Sequence, residues 1–285
     1  MLSITCVLNF ILSTIIIINI NNKNQIYLAR IKNYEQDTDK YIHFSIDDVI
    51  DIFADITHNS YNSIFENKTL KYLKELNELY GSKFSMYCFY EFDNNNLSEC
   101  TDKYKEQFEE NSYWLKFGFH ALNSERDYSK LSEKETIDDY NKVIAELKRI
   151  VGEKSITTVV RMEKFTCNKK NIIALANLEE LPITGLLGAD TEDRTDYYLN
   201  KEQNEKLFSQ DYYNDDETGI YIYNTDYRIE RIEGKIESTS EMFKDKNLII
   251  FTHEWILNNE NKNKINEICK YGTQNGYIYK FPEKI

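Results

Sequence analysis

The sequence predicts an α/β fold: one domain built as a (β/α) barrel of about seven parallel strands. Two observations predict it. From Tyr41 onward short apolar runs alternate with amphipathic stretches, and strands separated by helical patterns imply parallel βαβ units. No Gly-x-Gly-x-x-Gly turn follows any of the apolar runs, which favours a barrel over a dinucleotide-binding sheet. No repeat or low-complexity block interrupts the alternation.

Residues 41–46 read as the first strand. Leu70, Leu73, Leu76 and Leu79 then recur at helical spacing and stop at Gly81, a residue suited to a helix C-terminus. Phe84, Met86, Cys88 and Tyr90 alternate as the second strand, residues 103–110 form a polar helix, and residues 114–119 form the third strand. Ser132 and Glu135 make a capping box for a helix with Ile137, Tyr140, Val143, Ile144, Leu147 and Ile150 on one face, closing near Gly152. Strands at 157–160 and 184–187 flank a helix at 171–178. Two β-rich runs follow, at 219–223 and 247–251. A last helix carries Ile265, Ile268 and Cys269 to Gly272, before a strand at 277–281.

Composition excludes several classes of partner. The 285 residues carry 35 Lys and Arg against 48 Asp and Glu, a net charge of −13. That balance argues against nucleic acid and other extended polyanions. Hydrophobic content of 41% with 29% charge argues against disorder. The 22 Tyr and 15 Phe offer faces for stacking on sugar rings, or reflect a chain rich also in Ile, Asn and Lys. The five Cys contain no Cys-x-x-Cys pair and read as buried thiols, with a Cys88–Cys100 pairing open in an oxidising compartment.

Residues 1–20 hold no charged side chain and include the run Ile15-Ile16-Ile17-Ile18, a stretch able to span a bilayer. No Lys or Arg precedes the run and no small-x-small site follows it, against a cleaved signal peptide. The expectation is a membrane anchor or signal-like segment over 1–22, a linker over 23–40 and the barrel over 41–285. Lys23, Arg30 and Lys32 would leave the body of such an anchored chain on the cytoplasmic side. It would be cytoplasmic outright if the segment is never made.

Barrels of this class keep their chemistry at the carboxyl ends of the strands. The polar residues that end the apolar runs are Asp47 and Asp48, His120, Arg161 and Glu163, Asp190 and Asp193, and His253 with Glu254. Carboxylates and imidazoles converging on one mouth suit a metal ion or acid–base chemistry. Each has a plainer role as well: Asp47 and Asp48 as helix caps, His120 and His253 as hydrogen-bonded core residues, Arg161 as an ion-pair partner, Asp190 and Asp193 as turn residues. His43, in mid-strand, reads as structural.

These runs, in order, resemble the motifs of the polysaccharide deacetylase superfamily (NodB-homology, carbohydrate esterase family 4-like). Phe44-Ser45-Ile46-Asp47-Asp48 is similar to its first motif, Thr-Phe-Asp-Asp-Gly, and Lys83-Phe84-Ser85-Met86-Tyr87 to the strand that follows. Lys116-Phe117-Gly118-Phe119-His120 resembles the run opening the His-x-x-x-His motif, and Val160-Arg161-Met162-Glu163 stands where Arg-Pro-Pro-Tyr would. Asp190-Thr191-Glu192-Asp193 resembles the Asp-bearing fourth motif, and Ile249-Ile250-Phe251-Thr252-His253-Glu254 the terminal one. The resemblance covers residues 41–256 and implies a distorted barrel of the NodB type. It departs at Val49, at Met162-Glu163-Lys164, and at Ser124, where the second His would stand.

The resemblance implies a metal-dependent hydrolase that removes acyl groups, N-acetyl above all, from a carbohydrate. Asp48 and His120 would hold a divalent ion, zinc by preference, with Glu163, Ser124, Asn123 or Glu125 completing the shell. Asp47 would be the general base, held by Arg161. His253 would be the general acid, tuned by Asp190 or Asp193, and Trp255 would floor a sugar subsite. The alternative is a non-catalytic carbohydrate-binding or surface-assembly protein whose metal site has degenerated at Ser124. A metal-free hydrolase using Asp47, Glu163 and His253 is the third reading.

Overall fold

The computed structural model describes residues 4–35, 39–191, 194 and 196–284. It opens on a long helix, α1 (Ile4–Glu35), whose C-terminal part lies on the body: Ile26 and Asn33 are buried. Asn33 Nδ2 donates to the carbonyls of Thr273 (2.8 Å) and Tyr277 (3.2 Å). Residues 23–35, expected as part of a linker, are therefore helical and docked. The expected membrane association needs correction: among the described residues no helix is long and apolar enough to cross a membrane.

The body begins with β1 (Tyr41–Val49) and α2 (Asp51–Asn59), then α3 (Lys68–Tyr80), β2 (Phe84–Phe89) and a small hairpin of β3 (Glu91–Phe92) and β4 (Asn95–Asn96). The leucine stripe of α3 is buried at Leu70, Leu73 and Leu76, and Gly81 closes the helix at φ 80°, a conformation that costs glycine least. Next come α4 (Lys105–Glu110), β5 (Leu115–Ala121) and α5 (Glu133–Val151), whose Ser132/Glu135 capping box forms as the sequence predicts. The chain continues through β6 (Val159–Val160), α6 (Lys169–Ala176), β7 (Gly185–Leu187), α7 (Lys201–Gln210), β8 (Tyr212–Asp215), β9 (Ile220–Tyr223) and β10 (Tyr227–Arg228). It ends with β11 (Asn247–His253), α8 (Asn259–Gln274) and β12 (Ile278–Tyr279).

Apart from the β3–β4 hairpin, the strands of the described residues form two sheets, not one closed ring. The first runs β10-β11-β1-β2-β5, with β12 pairing β1, all parallel. The second runs β6-β7-β9-β8, parallel except for the β8–β9 pair. A single parallel bridge, Phe117 to Ile156, joins them on one side. On the other side, among the described residues, β9 and β11 do not pair. Asp226 spans that seam: its N–H donates to the Ile249 carbonyl (2.8 Å), and its Oδ2 accepts from the Ile249 N–H (2.7 Å). The expected barrel is thus a mostly parallel α/β arrangement without continuous strand pairing around it.

Strand periodicity divides the core. Ile42, Phe44 and Ile46 of β1 join the main apolar cluster with the helix residues Leu73, Val143 and Ile268. Tyr87, Val159, Leu187, Tyr223 and Ile249, drawn from five strands, form a separate small cluster, and Phe165, Ala189 and Phe251 form another. Cys88, Cys100, Cys167 and Cys269 are free and buried, so Cys88 and Cys100 are not paired.

Candidate metal centre and catalytic groups

The carboxyl end of β1 is irregular. Its register against β2 shifts between Ile46 and Val49, and Asp48 takes φ 60°, a left-handed conformation unusual for a residue other than Gly or Asn. A bulge of this kind re-aims side chains, so consecutive residues no longer face opposite sides of the sheet. Here both aspartates serve the same mouth. Asp47 lies on the guanidinium of Arg161, and Asp48 reaches His120 at the end of β5.

His120 joins two carboxylates. Its Nε2 is 3.1 Å from Asp48 Oδ1 and 3.0 Å from Glu163 Oε2. Its Nδ1 meets the Arg161 carbonyl, which fixes the ring with Nε2 toward the carboxylates. One ligand-capable atom from each of Asp48, His120 and Glu163 lies within 4.8 Å of the other two. The backbone is left-handed just after Glu163 as well, at Lys164 (φ 59°) and Phe165 (φ 54°). Such conformations cost about 1–3 kcal/mol each and gather where side chains must be held for function.

The donor set fits a divalent ion: one imidazole with its second nitrogen anchored, and two carboxylates. Burial pushes the His120 imidazole down, but hydrogen bonds to Asp48 and Glu163, with the charge of Asp47, outweigh it and bring the pKa to about 10. Burial also opposes the charge on Asp48, yet its hydrogen bond to His120 holds that carboxyl below its usual value. The second oxygen of Asp48 accepts from Trp255 Nε1 at 2.8 Å.

Two further groups flank the triad. Asp47 is buried, with Oδ1 3.4 Å from Arg161 Nε. Burial raises its pKa, and the nearby charge of Arg161 opposes the rise. Arg161 is itself held by the Gly188 carbonyl (3.1 Å), Ser45 Oγ (3.2 Å) and Thr225 Oγ1 (3.1 Å), with its guanidinium 4.5 Å from the Phe251 ring centroid. On the adjacent strand His253 is the register partner of Asp47. Its Nδ1 lies 2.6 Å from Glu230 Oε1, and Glu230 also accepts from Thr252 Oγ1 (3.0 Å) and Arg228 Nε (2.9 Å). Burial works against the Glu230 charge, but the hydrogen bond to His253 lowers its pKa to about 2.

Among the expected site residues, Asp48, His120 and Glu163 come together, Asp47 meets Arg161, and Trp255 stands beside Asp48, 60% exposed at the mouth. Other candidates for the metal shell are engaged elsewhere. The Ser124 carbonyl accepts from Lys164 Nζ (2.7 Å), Asn123 Nδ2 donates to Glu91 (3.0 Å), and Glu125 is exposed. Asp190 pairs with Arg231 at 2.9 Å. Asp193 lies outside the described residues. The acid that contacts His253 is Glu230, which the strand-end argument overlooks. It follows a strand of only two residues, too short for an apolar run to mark.

Glu254, the strand-end neighbour of His253, has a structural role. Its carboxylate accepts the backbone N–H groups of Ile50, Asp51 and Ile52, each at 2.8 Å. It thereby caps α2 from the segment that carries His253 and Trp255, and ties that segment to the Asp47–Asp48 bulge.

No family model matches the sequence, and no curated protein matches it. Among solved structures, the chain is similar to a family 4 acetyl xylan esterase from Clostridium thermocellum in complex with a cobalt ion. That match has a TM-score of 0.48 and 10% identity, over 86% of this chain and 89% of that one. It is also similar to the catalytic domain of a peptidoglycan N-acetylglucosamine deacetylase from Eubacterium rectale, with a TM-score of 0.41 and 13% identity, over 84% and 87%.

Proposed function

We propose that this protein is a divalent-metal-dependent hydrolase that removes acyl groups, N-acetyl above all, from a carbohydrate. One observation carries the reading. The Asp48–His120–Glu163 triad, its imidazole buried and its carboxylates half-buried, opens on a mouth flanked by Asp47 on Arg161 and by His253 on Glu230. A carboxylate triad alone is common; one with a base and an acid on neighbouring strands is a hydrolytic arrangement.

Asp48, His120 and Glu163 would hold the ion. Bound there, it would supply a Lewis acid for the acyl carbonyl and lower the pKa of water. Asp47, its pKa raised by burial, takes a proton from the attacking water, while Arg161 fixes its carboxylate. His253 faces the same mouth and donates a proton to the departing amine. Glu230 on Nδ1 orients the ring so that Nε2 is the atom that transfers it. The exposed Trp255 ring, 5.7 Å from the His253 ring centroid, offers a face for a pyranose.

The test is metal analysis of the purified protein together with acetate release from N-acetylated oligosaccharides. About one ion per chain, lost in Glu163→Ala along with turnover, supports the reading. Glycan binding that survives Asp47→Asn, with no acetate released by the parent protein under metal-replete conditions, refutes it in favour of a binding module.

A further inference from the structure

Trp255 stands at the mouth for a reason other than packing. The chain has two tryptophans. Trp114 is fully buried and donates its Nε1–H to Asn111 Oδ1 at 2.9 Å. Trp255 is 60% exposed, so core burial does not account for an indole there. Its polar atom still has one defined partner: Nε1–H donates to Asp48 Oδ2 at 2.8 Å.

That indole has a firm mount. Trp255 lies in a short 3₁₀ turn, Glu254–Ile256, which follows β11 directly. Its neighbour Glu254 accepts the N–H groups of Ile50, Asp51 and Ile52 at the start of α2. The segment that carries Trp255 is therefore tied to the segment that carries Asp48 twice, once through the Glu254 carboxylate and once through the indole.

The two oxygens of Asp48 are divided between two partners. Oδ1 faces His120 Nε2 at 3.1 Å, and Oδ2 faces the indole. As a metal ligand, His120 Nε2 has no hydrogen to offer Oδ1. Among the described residues, the indole N–H is then the remaining donor on the Asp48 carboxylate. A carboxylate can ligate through one oxygen or both; with Oδ2 on the indole, Oδ1 is the oxygen left for an ion. Hydrogen bonds of this kind fix how a ligand is aimed, and losing one weakens metal binding.

We propose that Trp255 is a positioning residue of the metal centre, its indole N–H holding Asp48 Oδ2 so that Oδ1 is presented with His120 and Glu163. The role rests on the metal-binding reading of that triad. It belongs to the edge of the ring and is separate from the face offered to a sugar.

Zn²⁺ titrations of the full chain, Trp255→Phe and Trp255→Ala test it, by competition against a chromophoric chelator with indole emission recorded alongside. Phe keeps an aromatic face without the N–H, and Ala keeps neither. Both substitutions should weaken Zn²⁺ binding about tenfold, and to the same extent. Because Trp114 is buried, the emission that acrylamide quenches reports Trp255. In the parent chain that emission should change with the same Zn²⁺ midpoint as the competition, and in Trp255→Phe no such response should remain. Affinities in both variants equal to the parent's would overturn the proposal. So would a loss in Trp255→Ala that Trp255→Phe does not share, which would make the ring and not its N–H the cause. Quenchable emission that ignores saturating Zn²⁺ would overturn it as well. A parent chain that binds no Zn²⁺ would overturn the triad reading together with this one. Zn²⁺ binding and acetate release in the parent, with unchanged affinity in both variants, would overturn the role of Trp255 alone.

Discussion

The proton held between Asp48 and Glu163 determines how tightly the candidate centre takes a metal ion at each pH. His120 is raised to about 10, so at neutral pH the metal-free protein carries an imidazolium there. A metal ion can use Nε2 only after expelling that proton. Apparent affinity therefore rises about tenfold for each pH unit below that pKa, or about a hundredfold between about pH 6.5 and 8.5. About one proton is released for each ion bound.

The same shift acts on stability, with a definite sign. A basic group whose folded pKa is raised stabilises the fold fully below its unfolded value, near 6.5, and loses that contribution as pH rises through about 10. The thermal midpoint of the metal-free protein should fall over that window, and the metal-loaded protein should not share the fall. Competition against a chromophoric chelator measures the affinity. Calorimetry in buffers of different ionisation heat counts the proton. An affinity flat between about pH 6.5 and 8.5, with no proton released, would show that His120 is neutral in the metal-free protein and refute the reasoning.

Other predictions follow from single contacts. Asp47→Asn keeps the shape but removes the base, and should lower kcat by about 10²–10⁴-fold with metal content unchanged, as read by metal analysis and acetate release. Glu230→Gln should lower kcat by about 10–100-fold with little change in KM, as read by acetate release, because the ring of His253 loses its orienting carboxylate. Glu254→Gln leaves one acceptor oxygen for the three N–H groups that start α2, and should cost about 1–3 kcal/mol in denaturant unfolding and weaken metal binding through Asp48. The conservative Glu254→Asp should recover part of both if the tie is positional.

Legibility in the sequence tracked whether the cause was local. α3 and α5 were readable because stripe and cap sit within the same stretch: Leu70, Leu73 and Leu76 in one, Ser132 and Glu135 in the other. α2 was not, because its capping carboxylate is Glu254, 202–204 residues away in sequence, while its own N-cap residue, Ile50, offers none. The order of strand-end residues exposed Asp48, His120 and Glu163 as candidates, since apolar runs mark where parallel strands stop. It could not choose Glu163 over Ser124, Asn123 or Glu125, because that choice depends on the left-handed turn after Glu163. Glu230 escaped for lack of any periodic pattern, and the acidic run at 190–193 drew the role in its place. The N-terminal segment misled for the converse reason: an uncharged run is a local signal, yet among the described residues no helix is long and apolar enough to cross a membrane.

The pairing of β1 with β11 has a consequence for how the molecule comes to exist. Tyr41 pairs with Asn247 and Asp47 with His253, while the start of β1 also takes β12 at Ile278 and Tyr279. The first strand of the body waits for the last ones, across some two hundred residues. Contacts of such separation are slow to form, since the loop entropy is lost before the pairing rewards it. During synthesis β1 can reach β2 early but stays half-paired until β11 has left the ribosome. The Asp47 and His253 ends of the candidate site therefore meet only at the close of folding, and a chain cut short before β11 lacks His253 and Trp255.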